Sequence, residues 1–135
     1  MSLSLQDVGL AVKRLQWRHH STANKQLATI GLSLAQWDVL RHLHDNPEAS
    51  LHALAVLTFQ TDQSMGALAG RMVEHGVLER METPGRAVQH RLTTSGEDLR
   101  VRGSVLLDGV MQATIGRLTT TERTTLHALL IKAAG

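Results

Sequence analysis

The chain has 135 residues, enough for one domain with a modest core. Fourteen basic residues against twelve acidic ones leave a net charge of +2, so any anion must be bound by a local patch rather than by the surface as a whole. Cysteine is absent, which excludes disulfides, thiolate zinc sites and thiol redox chemistry. The single phenylalanine, two tryptophans and no tyrosine argue against a stacking platform for single-stranded nucleic acid.

From Leu5 to about Ile30, Leu5, Val8, Val12 and Leu15 recur at helical spacing, with Leu27 and Ile30 later. Ser33-Leu34-Ala35-Gln36 reads as a capping box. It opens a helix that carries Trp37, Val39, Leu40, Leu43 and His44 and stops at Asn46-Pro47. Ser50 can cap a short helix bearing Leu51, Leu54, Ala55 and Leu57. After a brief break, Thr61 can cap another helix with Met65, Leu68, Ala69 and Met72 inward, ended by Gly76.

Two alternating segments follow, VLERMET and VQHRLT, around Thr83-Pro84-Gly85-Arg86. Period-two alternation on both sides of a turn predicts a β-hairpin, and Pro84-Gly85 suits the centre of a type II turn. The hairpin is a small basic finger with Arg80, Arg86 and Arg91. Thr94-Ser95-Gly96-Glu97 then predicts a capping box for a helix to about Ile115, with Leu99, Leu106 and Val110 as its stripe. Gly103 and Gly109 lower that helix's propensity by about 1 kcal/mol each relative to alanine. Thr119 to Glu122 predicts a third box, before a last helix with Leu126, Leu129, Leu130 and Ala133.

Two helices joined by a short break form a helix-turn-helix, and a basic hairpin directly after the second is a wing. The fold expected is mainly α with a small β-hairpin wing: a winged helix-turn-helix plus a helical dimerisation region. The second helix can enter a major groove while Arg86 reaches a neighbouring minor groove or its phosphates. The terminal helical regions carry apolar stripes that need a partner, and a second copy of the chain is the natural one.

At this point the sequence resembles the MarR family of bacterial transcriptional regulators. The residues that carry the resemblance are Leu32, Gln36, Trp37 and Leu40 in LSLAQWDVLRHL, then Leu54-Ala55, then Arg71-Met72, Gly76-Val77-Leu78 and Arg80. The wing adds Arg86, Leu92-Thr93 and Gly96. The resemblance implies a cytoplasmic, homodimeric repressor of one MarR-like domain, with residues 32–94 as the DNA-binding unit and 1–31 and 95–135 as dimerisation helices. It implies a palindromic double-stranded operator and release by a small aromatic or anionic effector. The family usually has an aspartate where this chain has Pro84 and often a basic residue where it has Ala67. With Asp62 near the helix start, these departures support the alternative, a winged-helix protein-interaction module with weak or lost DNA binding.

For DNA, the candidate residues are Thr61, Asp62, Gln63, Ser64 and Ala67 on the first turns of the recognition helix, with Arg71, Arg80 and Arg86. Gln63 can pair bidentately with adenine, Asp62 can accept from cytosine N4, and Thr61 or Ser64 can touch a base or phosphate. Helix capping by Thr61 and a solvated polar face is the plainer reading of the same residues. Arg71 can instead pair with Glu74, and Arg80 with Glu79. For an effector carboxylate, Trp37 and Arg41 lie one turn apart, and Arg14 or His19 from the first helix can join them; a core role is the simpler one for Trp37.

The remaining classes find little support. No apolar run approaches the roughly 20 residues of a membrane span, and MSLSLQDVGL has no basic leader before an apolar block, so neither membrane nor signal peptide is expected. His19 with His20, and His42 with His44, do not face each other on a helix, so no metal or other cofactor is expected. There is no phosphate-cradling glycine loop, GxSxG or HExxH, and no enzyme is expected.

Overall fold

The computed structural model describes residues 2–135. Among them the chain runs α1 (Leu5–Ala28), α2 (Leu34–Asp45), α3 (Leu51–Leu57), α4 (Asp62–Glu74), β1 (Leu78–Met81), β2 (Gln89–Leu92), α5 (Thr94–Gln112) and α6 (Thr120–Ala134), with a short 3-10 turn at Ile115–Arg117 before α6. It is mainly α with one antiparallel hairpin, the architecture the sequence implies. No described helix is long and apolar enough to cross a membrane.

Helix starts follow side-chain chemistry. Ser33 and Gln36 form a reciprocal capping box on α2, as do Thr119 and Glu122 on α6; Ser50 and Thr61 each accept from an amide of the first turn of α3 and α4. Ser4 and Asp7 make a further box on α1. One start differs from expectation. The cap of α5 is Thr93, not Thr94: its hydroxyl accepts from Gly96 N–H and donates to the Gly76 carbonyl at 2.6 Å. The Thr93 amide also donates to the Val77 carbonyl, so the end of α4 fixes the start of α5. A side chain at Gly96 would run into that Val77 carbonyl, and Glu97 turns instead to Arg100 and His44.

Helix ends also shift. α1 stops at Ala28 and α5 at Gln112, each short of the expected Ile30 and Ile115. Gly76 closes α4 at φ 75°, where the Val77 amide reaches back to Met72 and the Gly76 amide to Val73.

In the hairpin, Leu78 pairs with Leu92, Glu79 with Arg91, Arg80 with His90 and Met81 with Gln89. The strands are shorter than the alternating segments, because the chain leaves the ladder at Glu82 and rejoins it at Gln89. Within that loop Arg86 N–H donates to the Thr83 carbonyl, with Gly85 at φ 76°, the type II geometry expected of Pro84-Gly85.

The core lies between α2, α3, α4, the start of the hairpin and the end of α1. Leu27, Val39, Leu40, Leu54, Met65, Met72 and Leu78 are fully enclosed. Each such side chain contributes roughly 1.5–3 kcal/mol relative to an exposed one. The rest of α1 is different: only Ala23 and Leu27 are buried, while Leu5, Val8 and Val12 are exposed. No residue of α6 is buried, and Leu129, Leu130 and Ile131 face outward.

Candidate nucleic-acid interface

Buried Leu54 and Ala55 of α3 and Met65, Leu68, Ala69 and Met72 of α4 lock the two helices together across the turn 58–61. That packing leaves a second stripe of α4 outward: Thr61, Gln63, Ser64, Ala67, Arg71 and Glu74 are all exposed. The wing follows after Gly76 and is tied to the body from both strands. Leu78 enters the core, and Gln89 donates its amide to the Glu48 carboxylate at 3.1 Å, a brace that had no local signal in the sequence.

The candidate DNA residues fall into three groups. Thr61 both caps α4 and donates to the Ser64 hydroxyl at 2.9 Å, so these two hydroxyls are mutually engaged. Gln63 and Ala67 are exposed on the first turns of α4, and neither side chain has a polar partner among the described residues. Asp62 is held by His52 of α3, with Nδ1 and Oδ1 at 2.9 Å and both side chains largely in solvent. The pairing of His52 with Asp62 has no local signal in the sequence, because the partner lies ten positions on and across the turn.

The arginines separate likewise. Arg80 pairs with Glu82 at 3.1 Å, not with Glu79, which instead pairs across the strands with Arg91 at 2.9 Å. The cross-strand register sets Glu79 opposite Arg91, and the Arg91 hydrogen bond holds the Glu79 carboxyl below its usual range. Arg71 makes no ion pair with Glu74 or any other described residue, and Arg86 stands exposed on the wing loop with no ion-pair partner among them. His90, opposite Arg80, is only 5 % exposed. Burial, and secondly the Arg80 charge, hold its pKa below the ordinary histidine value.

Of the four effector candidates, the fold brings two together. The Arg41 guanidinium lies 5.0 Å from the centroid of the Trp37 ring and pairs with Asp38 at 3.3 Å. Burial raises the Asp38 pKa against the pull of Arg41 and His42. Trp37 itself is core, 6 % exposed, and donates its indole N–H to the Arg100 carbonyl. His19 belongs elsewhere: its Nε2 lies 2.6 Å from Thr114 Oγ1 near the end of α5, and burial lowers its pKa. Arg14 is exposed on α1. Among the described residues no group of three or more histidines and acids is placed to hold a metal ion.

Residues 30–87 match the model of the MarR family. No curated protein matches the chain by sequence. Solved structures do match its fold. A mutant MarR from E. coli complexed with operator DNA superposes with a TM-score of 0.85 at 22% identity, over 95% of this chain and 94% of that one. BpsR of Bordetella bronchiseptica, whose DNA binding is regulated by 6-hydroxynicotinic acid, gives 0.84 at 25% identity, over 95% and 98%. A MarR family protein of Mycobacterium tuberculosis in complex with p-aminosalicylic acid gives 0.78 at 22% identity, over 98% and 100%. Residues 30–87 are thus similar to the MarR family, and the chain as a whole carries the winged-helix fold of the solved MarR structures.

Proposed function

We propose that this protein is a sequence-specific regulator of transcription that binds double-stranded DNA as a homodimer, represses from a palindromic operator and is released by a small aromatic acid. The observation that carries the reading is the pairing of an outward stripe on α4 with an unpaired arginine on the adjoining wing loop. On this reading Gln63 and Ala67 meet base edges, Thr61, Ser64 and Arg71 meet phosphates, and Arg86 reaches the neighbouring groove. Asp62 and Arg80, each already paired within the chain, act at the margin of that contact.

The homodimer is supported by the apolar faces that one chain leaves uncovered. Leu5, Val8 and Val12 of α1 and Leu129 to Ile131 of α6 are exposed, and an apolar groove of about 580 Å³ lies between these helices, lined by Leu15, Ile115, Leu118, Leu126 and Leu129. On this reading residues 1–31 and 95–135 form the dimer and 32–94 read DNA. Release by an effector is supported by the aromatic acids bound to or acting on the similar proteins of M. tuberculosis and B. bronchiseptica. A ligand that favours one separation of the two α4 helices would shift them from the roughly 34 Å that successive major grooves require. Arg41, beside the Trp37 ring, is the candidate for its carboxylate; His19, engaged with Thr114, and Arg14 on α1 lie apart from that pair.

The test is selection from a random duplex library at rising salt. An enriched inverted repeat with half-sites about one helical turn apart, lost steeply as salt rises, is the expected result. No enrichment at low salt from a folded dimer would overturn the reading and favour a winged helix used for protein contact.

A further inference from the structure

Three helices of this chain end in the same way. After α1, Gly31 stands at φ 78°, and after α4, Gly76 at φ 75°. In both, the next amide reaches back five residues along the chain: Leu32 to the Leu27 carbonyl at 3.0 Å and Val77 to Met72 at 3.1 Å. After α3 the Gln60 amide makes the equivalent bond to Ala55 at 2.9 Å, but the residue in the left-handed position is Phe59, at φ 58°. It is the one non-glycine residue with positive φ among those described. Glycine or asparagine fits this position, and a bulky side chain is strained there.

The strain gains nothing inside the fold. Phe59 is 97% exposed, more than any other large apolar residue described, and Val56 and Leu57 beside it are also exposed. Strand stacking does not account for the ring, since the other two aromatics are Trp37, in the core, and Trp17, on α1. What sets Phe59 apart is its place. It lies in the turn between α3 and α4, two residues before Thr61, the cap of the helix whose exposed first turn carries Gln63. A recognition helix meets the major groove with its N-terminal residues, and the apolar group on that groove's edge is the 5-methyl of thymine.

We propose that Phe59 is a specificity-determining residue, its ring covering the 5-methyl group of a thymine at the edge of each half-site. This rests on the reading of the chain as a DNA-binding regulator. It explains why a strained, exposed phenylalanine stands where the chain elsewhere uses glycine: the strain holds a rigid apolar contact beside the polar stripe of α4.

The experiment uses the full chain and the operator chosen by library selection, with Phe59→Gly and Phe59→Asn as variants. Each half-site thymine is replaced in turn by uracil, which removes only the methyl. Relief of the left-handed strain raises the melting temperature of both variants by about 3 °C, so a loss of binding is not a loss of folding. Affinity for the thymine operator falls about fifteenfold in both, the worth of roughly one buried methyl group in each half-site. Wild-type protein loses the same factor on uracil at one position per half-site, and the variants do not respond to that change. Variants that hold the operator as tightly as wild type overturn the proposal alone, as does an equal loss on the thymine and uracil duplexes. A wild-type protein that selects no duplex overturns the regulator reading and this one with it.

Discussion

Trp37 donates its indole N–H to the Arg100 carbonyl at 3.1 Å, and its ring can lie there because Gly103, one turn on, has no side chain. An added Cβ at Gly103 would collide with Cδ1 and Nε1 of the ring and press on Leu27. The contact joins α2 to α5 and so joins the DNA-reading unit to the helices proposed to dimerise. Gly103→Ala forces the ring to move and breaks the indole hydrogen bond, at a cost of about 1–3 kcal/mol. Gly109, on the same helix, has nothing within 4 Å of its Cβ position, and Gly109→Ala gains about 1 kcal/mol from helix propensity alone. Urea unfolding of the two variants should therefore give shifts of opposite sign. Equal shifts would show that Gly103 is not the seat of the ring.

Arg86 and Gln63 should separate affinity from specificity. Arg86 is exposed on the wing loop and has no ion-pair partner among the described residues. If it meets phosphate, Arg86→Ala weakens binding to all duplexes alike and lowers the slope of log K against log salt by about 1. Gln63→Ala should leave that slope unchanged and relax the choice of base at one position per half-site, with a penalty of about 1–3 kcal/mol lost there. Binding isotherms at several salt concentrations on the selected operator and single-base variants check both. An Arg86→Ala variant that changes base preference and not the slope would place the wing on base edges instead.

Asp62 opposes a phosphate but suits the first turn of a helix, and His52 holds it at 2.9 Å. Asp62→Asn removes the charge and keeps the shape. DNA affinity should rise about fivefold at low salt, and the gain should shrink as salt screens it. Helix stability should fall by about 0.3–1 kcal/mol as the favourable dipole interaction is lost. His52→Ala should do the reverse to binding, since it leaves the carboxylate unpaired beside the DNA. Gel-shift titrations at low and moderate salt on both variants decide this; unchanged affinity in each would put Asp62 outside the contact.

What the sequence made legible was local. Ser33 with Gln36 and Thr119 with Glu122 announce helices because each cap is complete within four residues. Thr61, Gly76 and the Pro84-Gly85 turn are of the same kind. Partners chosen by the fold were not legible. Thr93 as the cap of α5 has no local signal beside Thr94, because the carbonyl that fixes it belongs to Gly76, 17 positions earlier. Gly103 reads as a weak helix residue until Trp37 is set against it, and the bond from Trp37 to Arg100 spans 63 positions. The same holds in the candidate interface: the outward stripe of α4 follows from periodicity, whereas the pairs Asp62–His52, Arg80–Glu82 and Gln89–Glu48 needed the turn and the wing in place.

The buried His90 makes the wing sensitive to acid, and the sign can be worked out. Burial first, and then the Arg80 charge, hold the pKa of His90 below the ordinary histidine value near about 6.5. As pH falls through that ordinary value the unfolded chain takes up a proton that the folded chain still refuses. The unfolded state is then the more protonated, so stability falls with pH until the folded group's own lower pKa is passed, and is fully present above the ordinary value. His19, lowered chiefly by its burial, adds a slope of the same sign. Glu79, Glu97 and Glu122 are held low by hydrogen bonds, and their contributions are lost only further down, in the carboxylate range. Asp38, raised by burial, acts with the opposite sign, so urea unfolding between pH 7.5 and 5.5 reads the histidines by comparing variants. Wild-type protein should lose stability across that interval, and His90→Phe should lose less, with the remainder removed in a variant that also carries His19→Gln. Protection of the Arg80 and Arg91 amides, taken relative to the intrinsic exchange rate at each pH, should fall at the acid end in wild type and not in His90→Phe, because the proton enters beside the strand pair that His90 makes with Arg80. An identical pH slope in wild type and His90→Phe would assign the acid sensitivity to some other group.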